Sequence, residues 1–173
     1  MASWRDVETD APDLAASARR LFDAHRHKTI ATLRKDGSPR ISGTETQFRD
    51  GELWIGIMFG ARKAADLQRD PRFALHSGSD DPPEPAAGDA SGTPDDAARA
   101  VAAAWAGDAK VAGRMVEIHD EALIEAINGP GPGPSHLFRA DIREVAVVRL
   151  NAAGDKLVVA SWHSGRGVET VER

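Results

Sequence analysis

The chain has 173 residues, a length that favours one domain, and its 41% hydrophobic and 28% charged residues are typical of a globular protein. Its 22 basic and 27 acidic residues give a formal net charge of −5, which argues against a nucleic-acid or anionic-lipid surface. The sequence contains no Cys and no Tyr, which excludes disulfides, thiolate chemistry and a phenolic general acid.

The first predicted element is an amphipathic helix over residues 10–26, with Asp10 as its cap and Pro12 in its first turn. The residues before it lack the basic start, apolar run and cleavage site of a signal peptide. The apolar stretches fall far short of the ~20 residues that a membrane span needs. We therefore expect a soluble, cytoplasmic protein that binds neither a membrane nor a nucleic acid.

Three antiparallel strands are predicted next, because two Asp-Gly pairs supply the positive φ angles of tight hairpin turns. The strands cover residues 28–34, 39–49 and 52–59, with turns at Asp36-Gly37 and Asp50-Gly51. A short helix over residues 61–69 follows and ends before Pro71, which cannot continue the helical hydrogen bonds. Residues 72–77 are predicted to form a fourth strand.

The second half of the chain alternates between further strands and helices. In chain order, the predicted elements are a polar loop over 78–94, a helix over 95–105, a strand over 110–118, a helix over 120–127, an irregular loop over 128–134, strands over 136–150 and 156–162, and a glycine-rich, then polar tail over 164–173. About seven strands in hairpins predict a mainly β protein of the α+β class, an antiparallel barrel with peripheral helices. We expect a single domain over residues 1–173, with an acidic, Pro/Gly-rich insert at 79–96.

The first candidate site is the start of the helix over residues 61–69, where Arg62 and Lys63 directly follow a buried strand. Cations at a helix N-terminus oppose the macrodipole, at a cost of about 0.3–1 kcal/mol. Free backbone N–H groups at the same position attract anions, so a bound phosphate would explain the two cations. The alternative is a pair of solvated charges on an exposed helix.

The second candidate is the strand that begins at Arg40. Strand alternation places Arg40, Ser42, Thr44 and Thr46 on one face. The other face carries Ile41, Gly43, Glu45 and Gln47, so both faces carry polar groups. Gly43 within the strand indicates a close backbone approach, by a ligand or by another strand. An edge strand with one wet face explains the pattern equally well.

The third candidate lies near the C-terminus, where Trp162 is followed by a glycine-rich segment with Arg166. The indole could stack on a planar ring while the guanidinium binds an anion. The alternative is that Trp162 pins the tail to the barrel. The six His residues show no metal-binding spacing, so we expect no metal, and no GxSxG motif supports a serine hydrolase.

Taken together, these motifs resemble a known family. The run ATLRKDGSPRISGTETQF, followed by DGELWIGIMFGARKAADLQRDPRFAL, resembles the pyridoxamine 5′-phosphate oxidase-like, FMN-binding split-barrel family. The segments HLFRADIREVAVV and LVVASWHSGRG are similar to its last strands. The resemblance covers residues 25–78 and 108–173 and depends on the order of the motifs. It implies a six-stranded split barrel and a homodimer with two flavin sites at the subunit interface.

The resemblance also implies roles for individual residues. Residues 40–45 would run beside the flavin ring, and Arg62 and Lys63 would grip its phosphate. The remaining implied contacts are Ile57 and Met58 at the edge of the ring, Trp162 near the cofactor, and Arg166 or Arg173 in place of a C-terminal arginine of the family.

Two departures from the family pattern bear on the substrate. Glu45 stands where the oxidase itself has a basic residue, and the substrate-gripping Arg-x-His tail of the oxidase is absent. Both argue against pyridoxamine phosphate as the substrate. The acidic insert at 79–96 is an addition that we expect either to cover the site as a lid or to cap the barrel.

Three functions are compatible with this resemblance. The first is an FMN-dependent oxidoreductase, in which the flavin transfers hydride to or from a small molecule. The second is a reductase that uses the deazaflavin coenzyme F-420, whose polyanionic tail would require more cations than Arg40, Arg62 and Lys63. The third is a non-catalytic flavin- or haem-binding protein. The sequence assigns no catalytic acid or base, and only His76 and His163 are candidates.

Overall fold

The computed structural model describes residues 1–81, 93–131 and 133–173, which form five helices and nine strands. The helices are α1 (Trp4–Asp10), α2 (Pro12–Ala24), α3 (Arg62–Arg69), α4 (Pro94–Ala104) and α5 (Glu121–Asn128). The strands are β1 (Lys28–Leu33), β2 (Pro39–Thr44), β3 (Gln47–Arg49), β4 (Glu52–Met58), β5 (Arg72–His76), β6 (Asp108–Ile118), β7 (Ser135–Leu150), β8 (Leu157–His163) and β9 (Gly167–Glu172). Most of the acidic insert predicted at 79–96 lies outside the described residues, so its suggested role as a lid stays a prediction.

The strands form one antiparallel sheet with the order β2-β1-β5-β6-β7-β4-β3, and β8 and β9 extend it from β7. The long strand β7 pairs with β6 along one side; on the other it pairs first with β4 and then with β8. In the described part of the chain no ladder joins β2 to β3, so the sheet does not close. The predicted mainly β, α+β class and the split-barrel fold are confirmed.

The strand predicted over residues 39–49 is in fact two strands. β2 pairs with β1, whereas β3 pairs with β4 at the other end of the open sheet. The chain changes partner at Glu45 and Thr46, which belong to neither strand. This corner lies at the split of the barrel, and it forms one wall of the candidate site described below.

The prediction also missed two elements and misplaced one cap. α1 begins with a capping box between Ser3 and Asp6, and because α1 extends to Asp10, the N-cap of α2 is Ala11 rather than Asp10. The tail forms β9, which pairs with β8. Together with the division of the 39–49 strand, it raises the predicted seven strands to nine among the described residues. Within that part of the chain, no helix is long and apolar enough to cross a bilayer.

The core lies between the sheet and the two N-terminal helices. α2 buries Leu14, Ala18, Leu21 and Phe22 at the predicted helical spacing, and α1 adds Trp4. These side chains belong to one hydrophobic cluster with residues of the strands. The Asp50-Gly51 turn has the predicted left-handed backbone at both residues, with φ of 58° and 80°. At the first hairpin only Gly37 has a positive φ.

Candidate functional site

The N-terminus of α3 brings two of the predicted features together. α3 begins at Arg62, shortly after β4 ends, and no side chain caps its N-terminus at Ala61. The Lys63 ammonium donates a hydrogen bond to the backbone carbonyl of Gly43 on β2. Burial lowers the pKa of Lys63. The two predicted cations therefore lie beside the predicted polar strand, as a shared site requires.

A pocket of about 680 Å³ opens at this position, and we call it the central pocket. It lies between the corner that follows β2, the end of β4, the start of α3 and the segment between α5 and β7. The residues predicted from sequence that line it are Gly43, Thr44, Ile57, Met58 and Lys63. The prediction missed Asn128 and the glycines after it, because a loop between distant elements has no recognisable periodicity.

Gly43 has open space on its outer side. A Cβ atom built there meets no atom of the described residues within 4 Å. The close approach predicted at Gly43 is therefore not made by another strand in the described part of this chain. Gly43 also lines the central pocket, where a flat ligand could lie against its backbone.

A second depression, the cationic groove, has a volume of about 700 Å³ and lies on the other side of the α3 N-terminus. Its charged side chains are mostly basic. They are Arg34, Lys35, Arg40, Arg62 and Arg69, against Asp36 and Asp66. Only Arg40 and Arg62 of this set were predicted. The groove lies between the hairpin after β1 and one face of α3. The sequence alone does not show that these two elements are adjacent.

Asp66 is the buried centre of the cationic groove, with a side chain that is 5% exposed. Its carboxylate accepts hydrogen bonds from Arg40 Nε at 2.6 Å, Thr32 Oγ1 at 3.0 Å and Arg69 Nη2 at 3.1 Å. Burial raises the pKa of Asp66, but the bonds from Arg40, Arg69 and Thr32 outweigh burial and lower it overall. Since Asp66 takes only Nε of Arg40, the terminal nitrogens of that guanidinium have no hydrogen-bond partner within the described residues.

The pyridoxamine 5′-phosphate oxidase family model matches residues 14–149, more than half of the chain. The chain belongs to the pyridoxamine 5′-phosphate oxidase family. A search of curated proteins gave no match. The family match includes all of the central pocket and the cationic groove, and it ends before β8 and β9.

Solved structures show the same fold at low sequence identity. PhzG from Burkholderia lata 383, in complex with tetrahydrophenazine-1-carboxylic acid, has a TM-score of 0.60 and 11% identity over 96% of this chain and 95% of its own. A Clostridium acetobutylicum protein related to general stress protein 26 has a TM-score of 0.56 and 14% identity over 86% and 93%. Atu2129 of Agrobacterium tumefaciens, of unknown function, has a TM-score of 0.55 and 15% identity; the aligned region covers 85% of this chain but 59% of Atu2129.

The remaining residues predicted from the family resemblance line neither the central pocket nor the cationic groove. Ser42 is paired with Ile30 on the inner face of β2. Trp162 is 1% exposed within the core, and its indole N–H has no hydrogen-bond partner among the described residues. Arg166 is exposed in the turn between β8 and β9, and the backbone of Arg173 pairs with Leu157. Their role towards a cofactor stays a prediction.

The other singled-out side chains each lie beside a side chain of a different element or of a neighbouring strand position. His76 lies 3.4 Å from Asp108, and His163 lies 4.0 Å from Glu144. Glu45, the departure from the family pattern, lines the central pocket and accepts a hydrogen bond from Arg26. The pocket therefore has a carboxylate on one wall and the Lys63 ammonium on another.

Proposed function

We propose that the protein is a flavin-binding oxidoreductase that uses FMN to transfer hydride to or from a small molecule in the cytoplasm, and that it acts as a single-domain homodimer. Members of the family commonly bind flavin or haem. One observation carries the proposal: an open pocket wall at Gly43 and an uncapped helix N-terminus with two cations meet at one place.

The residues present fit such a cofactor. Ile57 and Met58 give the central pocket apolar walls, and the open backbone at Gly43 leaves room for a planar ring. Arg62 and Lys63, with the free N–H groups of α3, would hold the phosphate. When bound, the flavin supplies the redox chemistry, while these residues bind and orient it.

The exposed apolar side chains around the site support the homodimer. Met58 is 77% exposed, and Ile41 on β2 is 76% exposed. Large apolar side chains that are this exposed are typical of surfaces that a partner covers. In a homodimer, the exposed Arg166 would be available to the flavin site of the second copy.

A deazaflavin is the second candidate, and a specific observation favours it. Coenzyme F-420 carries a polyanionic tail, which needs more cations than Arg40, Arg62 and Lys63. The cationic groove adds Arg34, Lys35 and Arg69 directly beside those residues. If the flavin ring occupied the central pocket, a long anionic tail could extend along this groove.

The test is a titration of the cofactor-free protein with FMN, riboflavin and coenzyme F-420. Binding is monitored by the fluorescence and absorbance of the added cofactor. We expect FMN to bind more tightly than riboflavin, which has the same ring without the phosphate. Replacing Arg62 and Lys63 by Ala should weaken FMN binding by about 2–4 kcal/mol, because charge-assisted hydrogen bonds contribute about 1.5–3 kcal/mol each. Riboflavin binding should change much less in that variant, because riboflavin has no phosphate.

A matched control removes two exposed cations elsewhere, with Arg149→Ala and Lys156→Ala, and should leave all affinities unchanged. Equal affinity for FMN and riboflavin would refute the phosphate assignment. A preference for F-420 over FMN of about tenfold, or 1.4 kcal/mol, would select the second candidate. Binding of no flavin would reject the proposed function.

A further inference from the structure

A third depression, of about 600 Å³, adjoins the central pocket, and Phe59, Gly129 and Ser135 line both. We call it the acidic pocket, because the described residues that line it include neither Lys nor Arg. Its ionisable lining residues are Glu117, His119, Glu121, Glu125 and His136. This charge is opposite to that of the cationic groove, although both depressions adjoin the same proposed cofactor site.

The most ordered feature of the acidic pocket is a hydrogen-bonded pair between β6 and β7. His136 Nδ1 lies 2.7 Å from Glu117 Oε1, and the two side chains are only 17% and 18% exposed. The Gln68 amide donates to both oxygens of Glu117, at 3.0 and 3.1 Å. Glu117 is thereby held from two sides, and its orientation fixes the imidazole ring.

The pairing determines which atom of the imidazole a ligand can reach. With Nδ1 turned to Glu117, the remaining ring nitrogen is Nε2, which has no hydrogen-bond partner among the described residues. In the neutral ring with its proton on Nδ1, Nε2 is an acceptor. It can therefore receive a hydrogen bond from an N–H group of a ligand.

An aromatic surface lies beside this acceptor. The Phe59 ring stacks on the His136 ring with centroids 5.5 Å apart and planes 13° from parallel. Because Phe59 is largely exposed, much of its ring is free to contact a second planar group. Ile118 and Ile124 add apolar lining.

We propose that the acidic pocket is a binding site for a planar ring that carries a cationic amine or amidine group. The ring would pack on Phe59, its N–H would donate to His136 Nε2, and its charge would be balanced by Glu121 and Glu125. Glu117 acts as the positioning residue for His136. We infer that this ligand is the substrate, and this step rests on the proposed function. A ligand in the acidic pocket can react only if a flavin occupies the neighbouring central pocket.

Two probes of equal shape and opposite charge test the site. Benzamidine is a planar cation with N–H donors, and benzoate is a planar anion without them. We expect calorimetry on the cofactor-free protein to show benzamidine binding at least about tenfold more tightly than benzoate, a difference of 1.4 kcal/mol. Comparable affinity for the two probes, or binding of neither, overturns the proposal.

Variants locate the binding. Phe59→Ala and Glu117→Gln should each weaken benzamidine binding at least about fivefold, whereas Glu169→Gln, an exposed carboxylate on β9, should not. Added benzamidine should also shift the His136 ring ¹⁵N resonances, and Glu117→Gln should reduce that shift. If Glu117→Gln does not fold, Phe59→Ala carries the test, because Phe59 is exposed. An unchanged affinity in the folded variants contradicts the assignment.

The outcome is separable from that of the cofactor titration. Benzamidine binding without any flavin binding would keep the pocket and reject the proposed function. Flavin binding without benzamidine binding would keep the function and reject the pocket. To link the two sites, the same titration is repeated with FMN bound, where benzamidine should alter the flavin absorbance spectrum.

Discussion

The cationic groove and the acidic pocket have opposite charges, but in each a carboxylate orients a basic side chain through hydrogen bonds. In the groove, the buried Asp66 holds Arg40 and Arg69, and the terminal nitrogens of Arg40 have no hydrogen-bond partner among the described residues. In the acidic pocket, the half-buried Glu117 holds His136 and leaves one imidazole nitrogen free. In both regions the carboxylate takes part in three hydrogen bonds. Its partner is therefore the group that can meet a ligand, and the carboxylate sets that partner's direction.

The two regions differ in how deeply this carboxylate is buried. Asp66 is almost fully enclosed, and three side chains satisfy it. Glu117 is more open, and it is held by Gln68 and His136. A buried carboxylate that loses its charge leaves its cations without compensation, whereas a more open one can be replaced in part by water. The groove should therefore depend on its carboxylate for stability more strongly than the pocket does.

The largest expected effect comes from Asp66→Asn, which removes the charge at the centre of the cationic groove. We expect a loss of about 3 kcal/mol in the free energy of unfolding, because Arg40 and Arg69 then lie close together without an anion. Urea denaturation measures it. Asp36→Asn, an exposed carboxylate of the same groove, is the control and should cost much less. A loss of under 1 kcal/mol in Asp66→Asn would contradict the role given to this residue.

The same charge predicts a pH dependence. Because the folded state lowers the pKa of Asp66, its contribution is complete above the unfolded value of about 3.9 and is lost as the pH falls through the folded pKa. The stability difference between wild type and Asp66→Asn should therefore be full at pH 7 and pH 5 and shrink below about pH 4. Urea denaturation at pH 7, 5, 3 and 2 measures this. A difference that stays constant down to pH 2 would exclude a charge effect.

The fold was predictable where its signals are local. Asp50 and Gly51 predicted their turn correctly, and the apolar spacing of α2 predicted its buried face. The break between β2 and β3 was not predictable, because it depends on which strands each segment pairs with. β9 was missed because a short strand at the end of the sheet buries little and shows no apolar alternation.

The site was predictable to the same extent. Arg62 and Lys63 stand out because cations are unfavourable at a helix N-terminus. Asp66 and Arg69 lie one turn apart on α3, a spacing that could have indicated the pair. The contact between Glu117 and His136 crosses 19 residues and depends on the register of β6 with β7, which the sequence alone does not determine.

The next prediction compares two glycines at the central pocket. A Cβ at Gly56 would lie 2.5 Å from Asn128 Oδ1, and the Asn128 amide is held by Ser135 Oγ at 2.7 Å. Gly56→Ala should therefore cost about 1–2 kcal/mol of stability, as overpacking does. Gly43→Ala is the matched control, since its Cβ would meet open space, and should change stability by less than about 0.5 kcal/mol.

Gly43→Ala, the variant with the smaller expected effect on stability, should have the larger effect on flavin binding. Gly43→Ala adds a methyl group where the ring is proposed to lie, so it should weaken the binding of FMN and riboflavin alike by about fivefold. Thermal melting and fluorescence titration of both variants give the comparison. If Gly43→Ala bound both flavins with unchanged affinity, the proposed position of the ring beside β2 would be wrong.

The smallest expected effect is that of salt on ligand binding. It distinguishes the contribution of the charged groups of a ligand from that of its ring. The Debye length falls from about 10 Å at 0.1 M salt to about 3 Å at 1 M, so charge-dependent binding should weaken by about threefold over this range. FMN at the exposed Arg62 and benzamidine in the acidic pocket should both show the loss. Riboflavin, which has no charge to screen, should not. An equal loss of affinity for riboflavin and FMN would show that salt acts on the fold. The charges of the two depressions would then not explain how the ligands bind.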